Sequence, residues 1–224
     1  ARRMMQVASR EGIGVAFIRN MLTWLRPETV ARKLAEAGYI GIVINSGGIA
    51  AIAPPGGRDR VLGTNPIGIG IPSKNGALVI DMATSKRAWG ETRQALLEKR
   101  KLPSDTYLDK AGNFTRDPRK ANSVIAFGDY KGFGLALLIE VLTGSLLDMP
   151  MSQTETKSDY RMLARGAMIL VLDPRKTTQF QKFLQENSAL FRKIKGSKKR
   201  KNSRVCILPG EEREAHRKKV LQRG

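Results

Sequence analysis

The sequence predicts an α/β fold, and three consecutive segments near its start carry that prediction. Residues 12–20 form a short apolar run rich in β-forming residues, which is typical of a strand. Pro27 suits the first turn of a helix, and the helical pattern over residues 28–37 stops at Gly38. A second buried strand follows over residues 39–45. A strand, a helix and a second strand joined by short connections are typical of an α/β protein.

The remaining elements continue this alternation along the chain. Met4, Met5 and Ala8 lie at helical spacing, which indicates that residues 1–10 belong to a helix. The further predicted elements are strands over residues 66–72, 78–81, 124–127 and a central one over 167–172, and helices over residues 86–100, 135–147, 177–191 and 211–223. No internal repeat is present, and 224 residues suffice for one large domain or two small ones.

The composition indicates a globular, soluble protein. Hydrophobic residues make up 41% of the chain and charged residues 27%. The sequence pattern shows neither an apolar run near the roughly 20 residues of a membrane span nor a signal peptide. The single cysteine, Cys206, excludes an internal disulfide and favours a reducing compartment. We therefore expect a cytoplasmic protein that does not interact with membranes.

The chain is strongly basic, with a formal net charge of +20 from 40 Lys and Arg against 20 Asp and Glu. Such a charge attracts polyanions. Residues 192–204, RKIKGSKKRKNSR, are almost wholly basic and fit either a solvated loop or a nucleic-acid patch. The run contains no aromatic residue, which weakens the case for a base-stacking surface. An acidic protein partner, or the composition of a host from a hot environment, would also explain the charge.

Familiar cofactor and metal motifs are missing from the sequence. The G-x-G-x-x-G fingerprint of dinucleotide-binding folds does not follow any predicted strand, and the G-x-x-x-x-G-K-[ST] phosphate loop is absent. One histidine and one cysteine exclude a metal site built from clusters of these residues. Dinucleotide binding through the usual fingerprint is therefore not predicted.

The stretch from Pro54 to Ser85 is rich in residues that form turns. It contains the turns PPGGR and GTNP, and then DMATS after the apolar residues 77–80. We predict that Asp81 ends a strand and that Thr84 and Ser85 open the next helix, which leaves backbone N–H groups free for a phosphate or carboxylate. The alternative is that these residues only cap the helix.

Lys131 is a second candidate for anion binding. It lies between Tyr130 and Gly132, at the start of an otherwise apolar helix. A lysine near a helix N-terminus can bind a phosphate or a substrate carboxylate. The alternative is an exposed lysine that happens to precede a helix.

Six phrases, in order and with natural gaps, resemble one protein family. They are GYIGIVINS (38–46), APPGGR (53–58), LGTNP (62–66), VIDMATS (79–85), GDYKGFGLALLIEVL (128–142) and LPGEE (208–212). The sequence resembles the malate/L-lactate dehydrogenase family of NAD(P)-dependent oxidoreductases that lack the Rossmann fold. Relatives in this family include ureidoglycolate dehydrogenase, sulfolactate dehydrogenase and 2,3-diketo-L-gulonate reductase. The resemblance covers essentially all 224 residues.

The resemblance implies a fold and an activity. The fold is a mixed sheet with flanking helices, forming a single region over residues 1–224 with a cofactor-binding core at about residues 39–175. The basic loop at 192–204 and the C-terminal helix at 211–223 complete it. The implied activity is hydride transfer between NAD or NADP and a 2-hydroxy or 2-oxo acid, carried out by a homodimer.

The resemblance also assigns site residues. The cofactor-binding positions are Asp81, Met82, Ala83, Thr84, Ser85, Tyr130, Lys131, Gly210, Glu211 and Glu212. The substrate-side positions are Asn45, Ser46, Thr64 and Asn65. The cofactor positions make chemical sense, because Lys131 supplies a cation and the carboxylates after Gly210 can accept hydrogen bonds from ribose hydroxyls.

Two departures from the family pattern concern catalysis. The family carries a Ser-His-Gly-x-x-Arg motif in an N-terminal segment, and this sequence does not contain it. The family's Asn-x-x-His pattern starts here at Asn20, and its histidine position holds Thr23. A threonine does not exchange protons near neutral pH as an imidazole does, so no catalytic residue is identified.

These departures lead to two interpretations of the chain. The first is an oxidoreductase of this family with impaired activity, whose sequence lacks the family's N-terminal segment and is clipped at its C-terminus. The alternative is a non-catalytic relative that binds RNA or an acidic partner through its basic surface.

Overall fold

The computed structural model describes residues 1–21, 26–152, 164–201 and 206–222. The strands are β1 Ile13–Met21, β2 Ile40–Asn45, β3 Ile52–Ala53, β4 Ile67–Ile71, β5 Leu78–Met82, β6 Tyr107–Leu108, β7 Phe114–Thr115, β8 Ser123–Ile125 and β9 Arg165–Leu172. The α-helices are α1 Arg2–Glu11, α2 Glu28–Glu36, α3 Glu91–Leu97, α4 Tyr130–Thr143, α5 Phe180–Lys195 and α6 Glu211–Leu221.

The larger sheet orders its strands β1-β9-β2-β4-β5, and every neighbouring pair is antiparallel. β9 pairs with both β1 and β2, so these two run parallel to each other with β9 between them. Val171 of β9 lies opposite Gly14 on one side and Gly41 on the other. The α/β class and the interior position of the strand predicted at residues 167–172 are therefore confirmed.

Helices cover both faces of this sheet. α1 and α2 pack on one face around a buried apolar cluster of Ala8, Ala31, Leu34, Val43, Ile169 and Val171. Side chains alternate along a strand, so Gly166 faces the opposite side from Ala167 and Ile169. There α4 approaches so closely that a Cβ on Gly166 would lie 1.8 Å from the carbonyl oxygen of Thr143. The prediction of flanking helices is confirmed.

A smaller sheet orders its strands β3-β8-β6-β7, with β3 and β8 parallel and the other pairs antiparallel. It packs around the fully buried ring of Tyr107, whose hydroxyl donates to the carbonyl oxygen of Ala88 at 3.1 Å. The sequence did not predict β3, β6 and β7, because strands of two residues are too short to produce a periodic pattern.

The helix predicted over residues 86–100 is much shorter, since α3 begins only at Glu91. The residues before it are tied to the smaller sheet. Lys86 N–H donates to the carbonyl oxygen of Ile125 at 2.9 Å, and the carbonyl of Ala88 accepts from Tyr107. These long-range hydrogen bonds occupy backbone groups that a helix would need, so the prediction of a helix start at residue 86 was wrong.

The helix predicted over residues 135–147 begins earlier, at Tyr130. The helix continues through Gly132. The absence of a side chain there allows a close approach, since a Cβ would lie 2.3 Å from the carbonyl oxygen of Phe127. At the other end of the chain, residues 192–195 of the basic run form the last turn of α5. The basic run is therefore partly helical, and not a loop throughout.

One helical stretch, Tyr130–Leu147, is long and apolar enough to cross a membrane by length and composition alone. No stretch of that length was predicted from the sequence. The core helices of soluble proteins meet the same criterion, and this stretch contains Glu140, which is fully buried. Its outer side exposes Leu137, Leu138 and Val141.

Candidate functional site

The structure places Gly210, Glu211 and Glu212 beside β5. Gly210 adopts a left-handed φ of 77°, and a Cβ on it would lie only 1.9 Å from the carbonyl oxygen of Val79. Only glycine fits both constraints. α6 starts immediately afterwards, so the contact between Gly210 and Val79 fixes where this helix leaves the sheet.

Asp81, near the end of β5, is held by an ion pair to α6. Arg213 donates to Asp81 at 2.7 Å and to Glu28, in the first turn of α2, at 2.9 Å. Burial raises the pKa of the Asp81 carboxyl above its ordinary value, while the Arg213 guanidinium beside it opposes that shift. One arginine therefore joins β5, α2 and α6.

The two adjacent carboxylates of α6 have different environments. Glu211 forms an ion pair with Lys195 and accepts from Leu208 N–H at 3.1 Å. Glu212 is exposed and binds none of the described residues; it lines a cavity of about 410 Å³ together with Asp81. A neighbouring cavity of about 640 Å³ also reaches Gly210. Glu212 is therefore the carboxylate of this pair that remains available to a ligand.

The hydroxyls of Thr84 and Ser85 donate hydrogen bonds to backbone carbonyls of the protein itself. Thr84 Oγ1 donates to the carbonyl oxygen of Thr64 at 3.0 Å, and Ser85 Oγ donates to that of Arg87 at 2.7 Å. Both residues are buried, and the next helix starts only at Glu91. The predicted helix N-terminus at Thr84 and Ser85 is therefore wrong, and the accessible part of this segment is Met82, with Ala83 partly exposed beside it.

Tyr130 and Lys131 form the exposed start of α4, next to this segment. A Cβ on the following residue, Gly132, would lie 2.8 Å from the carbonyl oxygen of Thr84, so the two segments touch. The amides of Lys131 and Gly132 already donate to the carbonyls of Gly128 and Phe127. An anion here would therefore meet the Lys131 ammonium, which lies 6.0 Å from the Tyr130 ring centre, rather than free amides.

The first turn of α4 contains no acidic residue, and its N-cap, Asp129, makes no side-chain capping bond. A lysine in the first turn adds positive charge to the positive end of the helix dipole, which is unfavourable. A bound anion would compensate both charges. The prediction of a lysine at a helix start is confirmed in its geometry.

The residues predicted for the substrate side also come together. Asn45 ends β2 and Ser46 follows it, and the amide of Gly47 donates to Asn65 Oδ1 at 2.7 Å. Thr64 connects this group to residues 81–85, because its carbonyl accepts from both the amide and the hydroxyl of Thr84. Four of the six phrases identified in the sequence thus meet at one end of the larger sheet.

The sequence profile of the malate/L-lactate dehydrogenase family matches residues 1–224. The chain belongs to this family. It is 33% identical over 178 residues to the malate/(S)-sulfolactate dehydrogenase of Methanothermus fervidus, which covers 78% of this chain and 51% of that protein. It is 34% identical over 149 residues to the 2,3-diketo-L-gulonate reductase of Citrobacter koseri, covering 65% and 44% respectively.

Solved structures share the fold of this chain. The sulfolactate dehydrogenase of Methanocaldococcus jannaschii superposes with a TM-score of 0.85 at 30% identity, covering 97% of this chain and 64% of that one. The malate dehydrogenase of Pyrococcus horikoshii gives a TM-score of 0.86 at 24% identity, covering 100% and 63%. The chain thus has the fold of the family, and it spans about half the length of the curated relatives it matches.

Glu140 is a further residue of the site, and it was not predicted from the sequence. It lies within α4 and is fully buried, yet its carboxylate accepts from Asn65 Nδ2 at 2.7 Å and from Ser152 Oγ at 2.9 Å, and also from the Ser152 amide. The Ser152 hydroxyl in turn accepts from the Gly63 amide at 2.8 Å. One buried carboxylate therefore anchors both ends of the Gly63–Asn65 turn. A charged residue within an apolar helical run was the available signal.

Thr23, which occupies the family histidine position, lies outside the described residues. Met21 pairs with Arg165 across the β1–β9 ladder, so Arg165 lies at the same end of the sheet as Asn45. The described residues contain no group of three or more His, Cys, Asp or Glu side chains that could hold a metal ion.

Proposed function

We propose that this protein is an oxidoreductase that transfers a hydride between NAD or NADP and a 2-hydroxy or 2-oxo acid. The observation that carries the proposal is the meeting of separate segments along one edge of β5. The segments that start at Asp81, Tyr130 and Gly210 are far apart in sequence, yet each contacts β5 or the turn that follows it. The chain's membership of the malate/L-lactate dehydrogenase family, whose named relatives are dehydrogenases and reductases, supports this activity.

The residues present fit a dinucleotide. Lys131 supplies an exposed cation for phosphate, and Glu212 supplies an unpaired carboxylate for ribose hydroxyls. Met82 and Tyr130 supply exposed apolar surface beside them. The bound cofactor would supply the hydride; the chain would position it against the acid substrate.

The Thr64 carbonyl, held by Thr84, links the cofactor side to the substrate side. Asn45 and Ser46 lie beside this turn and provide hydrogen-bonding groups for the substrate, while the Asn65 side chain, bonded to Gly47 and Glu140, holds the turn in place. None of these side chains titrates near neutral pH, so their contribution is to bind and to orient.

Lys131→Ala is expected to raise the Kd for NADH or NADPH by about 10-fold, because a charge-assisted hydrogen bond to phosphate is lost. Lys131→Arg should retain most of the affinity. Titration monitored by nicotinamide fluorescence measures both, and Lys110→Ala, an exposed lysine in the β6–β7 turn, is the control. Equal affinities in wild type, Lys131→Ala and Lys110→Ala would contradict the assignment of Lys131, and failure of the wild type to bind either cofactor would contradict the proposed function.

We also propose that the protein assembles as a homodimer, as expected from the family resemblance. The exposed apolar side chains of Leu137, Leu138 and Val141 on α4 support self-association, because isolated chains seldom leave such a helix face in water. Sedimentation equilibrium is expected to return twice the chain mass of 24.7 kDa. A mass that stays at that of one chain across micromolar concentrations would contradict the dimer.

A further inference from the structure

Three buried polar atoms at one end of the larger sheet have no hydrogen-bond partner within the described part of the chain. They are Asn45 Oδ1, Ser46 Oγ and Arg165 Nε. They belong to neighbouring strands, since Asn45 pairs with Ala167 and the Ser46 amide donates to the carbonyl of Gly166 at 3.3 Å. Buried polar atoms without partners are rare, so the unpaired Asn45 Oδ1 and Arg165 Nε at the same end of one sheet indicate a site that is completed by a ligand.

Arg165 is also without a counter-charge among the described residues. Burial alone lowers the pKa of its guanidinium, and no carboxylate offsets that shift. Comparable arginines of this chain are paired: Arg32 contacts Glu214 at 2.6 Å, and Arg175 contacts Asp173 at 2.9 Å. A half-buried guanidinium is costly to leave unpaired, so its retention here calls for an anion from outside the described residues.

The backbone around Arg165 is shaped to hold the guanidinium in place. Gly48 has a φ of 76°, and a Cβ on it would lie 2.2 Å from Arg165 Nε. The arginine therefore packs directly on the backbone of the loop after Ser46. Side chains alternate along β9, so Arg165 lies on the same face as Ala167, and Asn45 is opposite Ala167. Arg165 and Asn45 thus share one face of the sheet.

The free atoms define the chemistry of the ligand. Arg165 offers N–H donors that match a carboxylate. Asn45 Nδ2 donates to the Ser46 carbonyl at 3.0 Å, so its unpaired Oδ1 needs a donor from the ligand. A 2-hydroxy acid carries a carboxylate and a hydroxyl donor on adjacent carbons.

We propose that Arg165 binds the carboxylate of the acid substrate and that Asn45 Oδ1 accepts a hydrogen bond from its 2-hydroxyl. This inference rests on the proposed function, because it assigns the acid to the substrate side of that site. Arg165 is thereby a substrate-binding residue of the β9 strand, opposite Met21 in the β1–β9 ladder.

The test is a calorimetric titration with L-malate and with succinate, which differ only by the 2-hydroxyl. Wild type should bind L-malate about 10-fold more tightly than succinate. Arg165→Met should weaken L-malate binding by at least about 10-fold, and Arg165→Lys should give an intermediate affinity. The control is Arg93→Met, an exposed arginine on α3, which should bind as wild type does.

Thermal unfolding of the same variants separates binding from a structural role. Removal of an unpaired, half-buried charge should leave the Tm of Arg165→Met unchanged or raise it. Equal L-malate affinity in wild type and Arg165→Met, no L-malate binding by wild type, or a lowered Tm with unchanged affinity would each overturn the inference. If Arg165→Met does not fold, the L-malate affinity of Arg165→Lys, which keeps the charge, tests whether Arg165 binds the carboxylate.

The two proposals fail in different experiments. Titration of Arg165→Met with NADH and NADPH should return wild-type affinities, because Arg165 is not assigned to the cofactor. Cofactor binding without Arg165-dependent malate binding would overturn this inference alone. Arg165-dependent malate binding without cofactor binding would overturn the hydride-transfer proposal and leave the acid site in place.

Discussion

Gly210→Ala is expected to destabilise the protein by about 2–5 kcal/mol and to abolish detectable NADH and NADPH binding. The new Cβ would lie 1.9 Å from the carbonyl oxygen of Val79, inside β5, and the residue would have to keep a φ of 77°. Val79 lies within the β4–β5 ladder, opposite Gly70, which holds its carbonyl in place, so the start of α6 is expected to shift instead. That shift would displace Glu212 and the Arg213 that holds Asp81.

A matched control separates the overlap from the backbone conformation. Gly56 has a similar φ of 74°, and a Cβ there would meet no atom within 4 Å. Gly56→Ala should therefore show only the cost of the left-handed conformation, about 1–2 kcal/mol, with cofactor affinity unchanged. Urea unfolding and nicotinamide fluorescence measure the two effects. Equal losses in both variants would show that the contact with Val79 is not what positions α6.

Glu140→Gln is the second substitution with a large expected effect, a loss of about 2–4 kcal/mol in the free energy of unfolding. The carboxylate accepts hydrogen bonds from Asn65 Nδ2 and from both the amide and the hydroxyl of Ser152. A glutamine places an NH₂ group where one of these donors now points, so a buried donor loses its partner. Asn65 and the Ser152 that binds the Gly63 amide would then be held less firmly.

Glu140→Gln should also affect the substrate side of the proposed site. Asn65 also holds the amide of Gly47, so loosening it should weaken L-malate binding more than cofactor binding. Glu186→Gln is the control, because that side chain is 65% exposed and its contact with Lys182 is an exposed helix pair. It should cost less than about 0.5 kcal/mol. A Glu140→Gln protein as stable as this control would contradict the role of Glu140 as the anchor of the turn.

Much of the fold followed from local patterns. The strands near residues 13, 40, 67 and 78 and the helix at Glu28 were predicted within a few residues, because their apolar runs and the stop at Gly38 are local signals. The insertion of β9 between β1 and β2 was not predictable in this way. Strand order depends on pairing between residues more than 120 positions apart, which no local pattern reports.

The same distinction between local signals and tertiary contacts applies to the candidate site. The position of Lys131 was predictable, because a lysine followed by a glycine at the start of an apolar helix is a local signal. Three other features depend on tertiary contacts, which the sequence does not report. They are the ion pair of Asp81 with Arg213, the hydrogen bond of Asn65 to Glu140, and the lack of a partner for Arg165 Nε among the described residues. The mistaken helix at Thr84 had the same cause, since hydroxyl residues after a strand look alike whether they cap a helix or bond to a distant carbonyl.

The most direct test of the cofactor site is hydrogen–deuterium exchange of the chain with and without saturating NADH and NADPH. The proposed site predicts slower exchange in residues 81–85, 130–133 and 210–214, where the amides of Thr84 and Glu214 are hydrogen-bonded and therefore measurable. The β6–β7 hairpin should serve as an unaffected reference. Absence of protection in all three segments, or protection confined to the cavity that Ala95 and Arg116 line, would contradict a dinucleotide bound along β5.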